Sequence, residues 1–405
     1  MQMKRKVGAV IIMHPGQCNY GSSLEGYATA KKVADFGYEY EIIRYNKVRD
    51  VKSFLKNFVG LMRSGAFRQW KYLRKKKKDF IQYPEFARTR KIREEAVNIF
   101  KARYLDSVSH YYNGYKALQE GSKNYSVVFV GDDQVWGPLS LYSKFYNLYF
   151  VDNSIPKFSY ASSFGVSSIF PWQRKGVAGF LKRLDLIGVR EQRGKQIVKE
   201  LTGKDAKVVC DPTFLLTTDE WIEALMENEK ERGLERNGEP YKIDTPYILA
   251  YVLGERKDVR EEIKKLREQS GLKIVNLPHV DNYHAMDDNL GDINLYDVDP
   301  FDFIRLIRDA EYVVTDSFHG SVFSIQMHKK FLTFYRKPSS EKGNTNSRID
   351  SLFNILGLSE RLYKGDVFNQ IKKNIDYGYV DRQVEELRID SLAFFKQALG
   401  LGRII

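Results

Sequence analysis

Ser317, His319 and Gly320 share one short turn, Thr315-Asp316-Ser317-Phe318-His319-Gly320, set between the apolar runs Tyr312 to Val314 and Val322 to Ile325. A strand that passes through a tight turn into a helix aims the turn's side chains and the helix's first free N–H groups at one place, which suits an anion. A histidine there titrates near neutrality and can donate a proton. Gly320 permits close approach of a ligand or of another backbone. The same residues also suit a plain helix start, with Ser317 as the cap and His319 as a hydrogen-bonded turn histidine.

Other strand-like runs end in polar turns too. Val7 to Met13 leads through Asn19-Tyr20-Gly21-Ser22-Ser23 into a helix from Leu24 to Phe36, and Tyr38 to Arg44 follows as a second strand. Tyr125 to Val130 opens into Gly131-Asp132-Asp133-Gln134-Val135-Trp136-Gly137, which gathers two carboxylates, an amide and an indole. Lys157 to Ser163 ends in Ser162-Ser163-Phe164-Gly165, Leu186 to Val189 in Arg190-Glu191, and Val208 to Cys210 in Asp211-Pro212-Thr213. In a parallel α/β sheet the carboxyl ends of the strands lie along one edge, where ligands bind. The repetition therefore predicts one ligand-facing edge. No GxGxxG follows the first strand, so dinucleotide binding is not indicated.

These turns need two sheets to carry them, and 405 residues suffice for two domains. The pattern predicts an α/β protein of two Rossmann-like domains facing a cleft: residues 1–226, a charged linker over 227–245, a second domain over 246–375 and a C-terminal helix within 376–405. In the second domain, strands are expected at Tyr247 to Leu253, Lys273 to Leu277 and Phe331 to Tyr335. Pro278 to Asp297 reads as a mobile loop, because His279, His284, Asp287, Asp288 and Asp292 lack clear metal-ligand spacing. Arg336 to Ser347, with Lys337 and Lys342, suits a substrate-facing loop. The last helix is expected from Asp381 to Leu399.

Composition narrows the setting. No run of 18 apolar residues suggests a membrane-spanning helix. Cys18 and Cys210 form no disulfide framework or CxxC pair, which favours a reducing, cytoplasmic location. Charge is concentrated. Arg44 to Arg103 holds 19 Lys and Arg against 5 Asp and Glu, a local +14 within a total of +13. The basic insertion, residues 46–104, interleaves Phe54, Phe58, Phe67, Trp70 and Tyr72 with the Arg74 to Lys78 run. That mixture fits a helix on an anionic membrane surface, at the inner face of the cell membrane. It equally fits a solvated hairpin whose apolar stripe packs on its own domain. A nucleic-acid partner has no fold signature here.

Taken in order, the motifs resemble those of the polysaccharide pyruvyl transferase family: Asn19-Tyr20-Gly21, Gly131-Asp132-Asp133-Gln134-Val135-Trp136, Ala161 to Gly165, Val189-Arg190-Glu191, Cys210 to Thr213, Thr315 to Gly320, and Asn346 to Ile349. The resemblance implies a GT-B-like pair of domains. It also implies transfer of pyruvate from phosphoenolpyruvate to a sugar or lipid-linked oligosaccharide of a cell-surface polysaccharide, as a cyclic ketal. On that basis His319 is the expected general acid, oriented by Asp316. Arg190, Arg348, Lys337, Ser317 and Gly320 are expected on the donor, for an anionic donor needs cations and N–H groups. Asp132, Asp133, Gln134, Trp136 and Asn19 are expected on the acceptor, with Trp136 stacking on a sugar ring. No metal and no cofactor besides the donor substrate are expected. A glycosyltransferase using a nucleotide sugar, and a non-catalytic polysaccharide- or membrane-binding protein, are the alternatives.

Overall fold

A computed structural model describes residues 5–14, 16–46, 58–139, 144–236, 243–337 and 346–402. Lys342 and the first part of the basic insertion lie outside these. The first sheet takes β1 (Lys6–Val10), β2 (Glu39–Asn46), β3 (Ser109–Asn113), β4 (Val127–Gly131), β5 (Lys157–Ser162), β6 (Leu186–Val189) and β7 (Lys207–Val208). Its order is β3-β2-β1-β4-β5-β6-β7, all parallel. The second sheet takes β8 (Tyr247–Tyr251), β9 (Lys273–Asn276), β10 (Ile293–Asn294), β11 (Tyr312–Thr315) and β12 (Lys330–Thr333). Its order, β10-β9-β8-β11-β12, is parallel throughout. In each sheet the chain winds outward from its first strand, then crosses to that strand's other side. This leaves a crevice at the carboxyl ends of β1 and β4 and of β8 and β11.

The central strands form because runs such as Val127 to Gly131 are apolar on both faces and are covered on both. Strand β3, which was not anticipated, is an edge strand with mostly polar or exposed residues and little apolar signal. Pro278 to Asp297, expected to be a mobile loop, contains the edge strand β10 and is pinned. Arg260 Nε donates to Asp287 at 2.8 Å, and Arg267 holds Asp292. The acidic residues there are partners of arginines.

The expected linker begins as helix. Thr218–Arg236 is continuous. Thr217 and Glu220 exchange hydrogen bonds at its start, Glu220 N to Thr217 Oγ1 at 3.1 Å and Thr217 N to Glu220 Oε2 at 2.7 Å. Arg232 pairs with Asp302, and Arg305 with Glu229, so the helix straps onto helix Pro300–Asp309. The C-terminal helix, Tyr377–Gly400, starts before the expected Asp381 and returns to the first domain. Phe395 stacks on Tyr160 at 4.6 Å and lies edge-on to Phe129 at 5.6 Å. Arg388 Nε donates to the carbonyl of Phe214, and Ser391 Oγ accepts from the N–H of Cys210.

The two domains share one core. Tyr20 of the first stacks on Phe303 of the second at 4.8 Å, and Arg93 of helix Pro84–Tyr104 donates to the carbonyls of Leu295 and Tyr296.

Because Phe395 is fully buried, Phe395→Ala is expected to cost about 3–5 kcal/mol. The readout is a lower urea midpoint. Ile389→Ala, on the exposed side of the same helix, should stay within about 0.5 kcal/mol of wild type.

Candidate active site

The turn after β11 is built from local polar contacts. Thr315 Oγ1 accepts from the N–H of Ser317, and Ser317 Oγ accepts from the N–H of Gly320 at 3.3 Å, capping helix Phe318–Gln326. Gly320 serves packing, since a Cβ there would lie 2.5 Å from Thr315 Oγ1. Asp316 does not orient His319, contrary to expectation. Its carboxylate accepts from the N–H groups of Leu253 and Gly254, both at 2.7 Å, and so ties this turn to the end of β8.

His319 crosses to the first domain. Its ring lies against Gly21, where a Cβ would fall 2.0 Å from Nδ1. Its Nε2 is 3.4 Å from Glu25 Oε1 and 3.6 Å from Asp211 Oδ2. Arg190 meets the same two carboxylates: one terminal nitrogen donates to Glu25 at 2.8 Å and to Asp211 at 2.7 Å. Its other terminal nitrogen donates to Asp133 at 2.7 Å. Arg348, from the second domain, donates to the same Asp133 oxygen at 2.7 Å. Both guanidinium groups lie over the ring of Phe318, at 5.0 and 5.5 Å. Strand ends from both sheets thus converge on one buried point.

The charges there depend on one another. Burial alone would lower the His319 pKa, but Glu25 and Asp211 raise it to about 10. Burial and the nearby Asp211 push Glu25 up to about 7, against His319 and Arg190. Burial opposes ionisation of Asp133 as well, yet Arg348 and Arg190 hold it down at about 2. Asp132, buried near Glu25 and Asp211, is raised well above the usual carboxylate range, by burial first. The cluster therefore keeps exchangeable protons near neutral pH. His319 Nε2, Glu25 Oε2, Arg190 Nε and Arg348 Nε are buried with no hydrogen-bond partner. Such atoms at one point mark a place suited to a polar ligand.

Glu25, Asp211 and His319 place ligand-type atoms within 4.8 Å of one another, as a metal site would. Arg190 already sits on both carboxylates, so the positive charge a cation would bring is in place.

The remaining expected residues fall in different places. Trp136 is not available for stacking on a sugar. It is 1% exposed, packs on Phe164 and Phe180, and donates Nε1–H to the carbonyl of Tyr146. Asp132 is also buried and faces Thr29 rather than the cleft. Gln134 packs beside Gly165. Asn19 and Lys337 line a separate cleft of about 700 Å³ between the domains, with Tyr72, Tyr251, Gly254 and Arg336. Glu25 was not expected. It lies on helix Tyr20–Asp35, and the available signal was a lone acid among small and apolar residues in GSSLEGYATA.

A family model described as polysaccharide pyruvyl transferase matches residues 19–338. No curated protein matches the chain. Among solved structures, a glycosyltransferase from Rickettsia africae is similar at 13% identity and TM-score 0.48, covering 98% of this chain and 99% of that one. UDP-GlcNAc 2-epimerase from Neisseria meningitidis, bound to UDP-GlcNAc, gives 10% identity and TM-score 0.47 over 97% of this chain and 100% of that one. The N-terminal domain of trehalose-6-phosphate phosphatase from Candida albicans gives 10% identity and TM-score 0.49 over 99% and 98%.

His319 rises from 6.5 to about 10, so the folded chain holds this proton more tightly than the unfolded chain. Its stabilising contribution is complete below pH 6.5 and is lost as pH rises through about 10. Glu25, raised from 4.5 to about 7, acts in the same direction at lower pH. The melting temperature is expected to fall between pH 6.5 and 10, and the fall should be shallower in His319→Gln. Gly21→Ala should separate His319 from the helix and cost about 1–3 kcal/mol by chemical denaturation.

Proposed function

The chain belongs to the polysaccharide pyruvyl transferase family, and on that premise we propose that it moves pyruvate from phosphoenolpyruvate onto a sugar of a cell-surface polysaccharide precursor, forming a cyclic ketal. The observation that carries this reading is that His319 and Arg348 of the second domain meet Glu25, Asp133 and Asp211, the acids held by Arg190, across the domain boundary. It joins a proton source to two cations at one buried place. The proposed site of action is the cytoplasm, with an acceptor presented on a lipid carrier.

The proposed chemistry begins when the His319 imidazolium gives its proton to the methylene carbon of the enol. Glu25, beside Nε2, later takes the proton released by the first sugar hydroxyl and hands it to the ring, which regains its charged form. The adjacent carbon becomes oxocarbenium-like, and one sugar hydroxyl adds to it and releases its proton. The carbon–oxygen bond to phosphate then breaks, the second hydroxyl takes its place, and its proton leaves with the phosphate. One acceptor proton is thus balanced by the new methyl hydrogen and the other by hydrogen phosphate.

Arg190 and Arg348 both hold Asp133. In this reading that carboxylate occupies the position of a substrate anion. A substrate carboxylate or phosphate can take its place on the two arginines, and charge-assisted arginine pairs favour such an exchange. His319 is only 8% exposed at its side chain, so the substrate enters as the domains part along the Gly21–His319 contact. The acceptor occupies the neighbouring cleft beside Asn19 and Lys337. Ser317 and Gly320 act by shaping the turn that holds the histidine.

His319→Gln is expected to keep the fold and lower phosphate release from phosphoenolpyruvate plus acceptor by roughly 10²–10⁴-fold. A folded variant turning over near the wild-type rate would remove the histidine from the mechanism. In a thermal-shift panel, phosphoenolpyruvate should raise the melting temperature and nucleotide sugars should not, and Arg348→Gln should diminish the rise. The opposite ranking of the two donors would point to glycosyl transfer instead.

A further inference from the structure

Helix Ala66–Gln82, AFRQWKYLRKKKKDFIQ, is oriented against the usual rule for surface helices. One side seats it on the protein. Lys76 Nζ donates to Asp281 at 2.7 Å, Asp79 is buried, and Phe80 stacks on Phe86 at 5.6 Å. The opposite side points outward with Phe67, Trp70, Arg74, Lys77, Lys78 and Ile81, which helical spacing puts on one face. Trp70 is 49% exposed and Ile81 74%, with Leu73 alongside at 54%. Lys71 and Arg74 lie over the rings of Phe67 and Trp70 at 4.8 and 4.5 Å.

A second segment, distant in sequence, carries another exposed aromatic pair and is tied to the chain just before this helix. Phe170 and Trp172 are exposed and stacked at 4.7 Å. Gln173 Nε2 donates to Ser64 Oγ at 2.9 Å, two residues before the helix, in a stretch where Val59 and Met62 are also exposed.

We propose that the outer face of helix Ala66–Gln82, together with Phe170 and Trp172, docks on an anionic phospholipid bilayer. Rings and aliphatic side chains enter the headgroup boundary while the flanking cations meet lipid phosphates. The seven Lys and Arg of this helix against one buried Asp oppose the approach of a second copy of the same face. Leu73, Ile81, Val59 and Met62 favour lipid over nucleic acid, which gains from aromatic stacking more than from aliphatic contact. Tyr72, on the same helix, lines the interdomain cleft. The cleft therefore lies across the width of this helix from a docked bilayer. The proposal rests on this surface alone and holds whichever reaction the site performs.

The test mixes the full chain with phosphatidylcholine vesicles with and without phosphatidylglycerol, at low and high salt. Co-sedimentation is expected only with the anionic vesicles and should weaken with salt. Tryptophan emission should shift to the blue through Trp70 and Trp172, because Trp136 and Trp221 are already buried. Arg74→Gln/Lys77→Gln/Lys78→Gln should lower partitioning roughly a hundredfold. Trp70→Ser/Ile81→Ser/Trp172→Ser should weaken it with unchanged circular dichroism. Three results would overturn the proposal: no co-sedimentation with anionic vesicles at low salt, binding untouched by the apolar substitutions, or a concentration-dependent dimer that those substitutions abolish.

Discussion

The guanidinium of Arg190 stands where Glu25, Asp133 and Asp211 would otherwise face one another unscreened, and the arrangement of the domain boundary depends on it. The three carboxylates come from the first helix and from the ends of β4 and β7. None reaches bulk water easily, so each needs a positive partner or a proton. Removing one member of a buried ion pair commonly costs about 3–5 kcal/mol, because a charge is left uncompensated. Here one arginine serves three acids, so loss of Arg190 would fall on the whole first-domain edge. The second domain completes the balance by delivering Arg348 to Asp133 and His319 to Glu25 and Asp211. Contact between the domains and neutralisation of the cluster therefore go together. Anything that supplies an anion to the two arginines changes both together.

Backbone geometry shows the same priority of site over local preference. Asp132 and Asp133 are consecutive residues with φ of 61°. This left-handed conformation is disfavoured for residues with a Cβ, although Asp tolerates it better than most. The pair is held by the carbonyl of Asp133, which accepts from the N–H of Ser163 at 3.0 Å. The twist sends Asp132 inward towards Thr29 and Asp133 outward to the arginines. Strain of this kind persists where surrounding contacts over-determine it, which here means the convergence of β4, β5 and β6.

Much of this was legible in the chain. Polar turns at the ends of apolar runs located the edge on which Asp133, Arg190 and His319 meet, because parallel strands put all such turns on one side. Asp316 and Trp136 were misassigned because position in a turn does not fix direction. An indole following a buried strand gains more by packing on Phe164 and Phe180 than by facing water, and an aspartate at a strand end is readily taken by the free N–H groups of the next loop. Glu25 was hidden for a different reason. A glutamate inside a helix usually marks the solvated face, and only its neighbours Ser22, Ser23, Gly26 and Ala28 hint that this face is covered. Its partner Arg190 lies 165 residues away, and no local pattern pairs them.

The basic insertion illustrates why net charge alone cannot assign a surface. On helix Pro84–Tyr104 the cations are anchors. Arg90 donates to the carbonyl of Gly16 at 2.7 Å, Lys101 to that of Gln17 at 2.8 Å, and Arg93 to two carbonyls of the second domain. A cation that caps a backbone carbonyl is spent on structure and adds little to the outer field. On the preceding helix, Arg74, Lys77 and Lys78 are exposed beside rings that are exposed as well. The two helices meet through Phe80, which lies against Phe86 and under Arg90 at 5.4 Å. The loop gripped by Arg90 and Lys101 leads directly into Asn19 and the helix that carries Gly21 and Glu25. The outward helix is therefore joined to the edge that carries Glu25 through a short chain of packed and hydrogen-bonded groups. The local charge excess divides between one set of cations that fixes that edge and another that faces away from the protein.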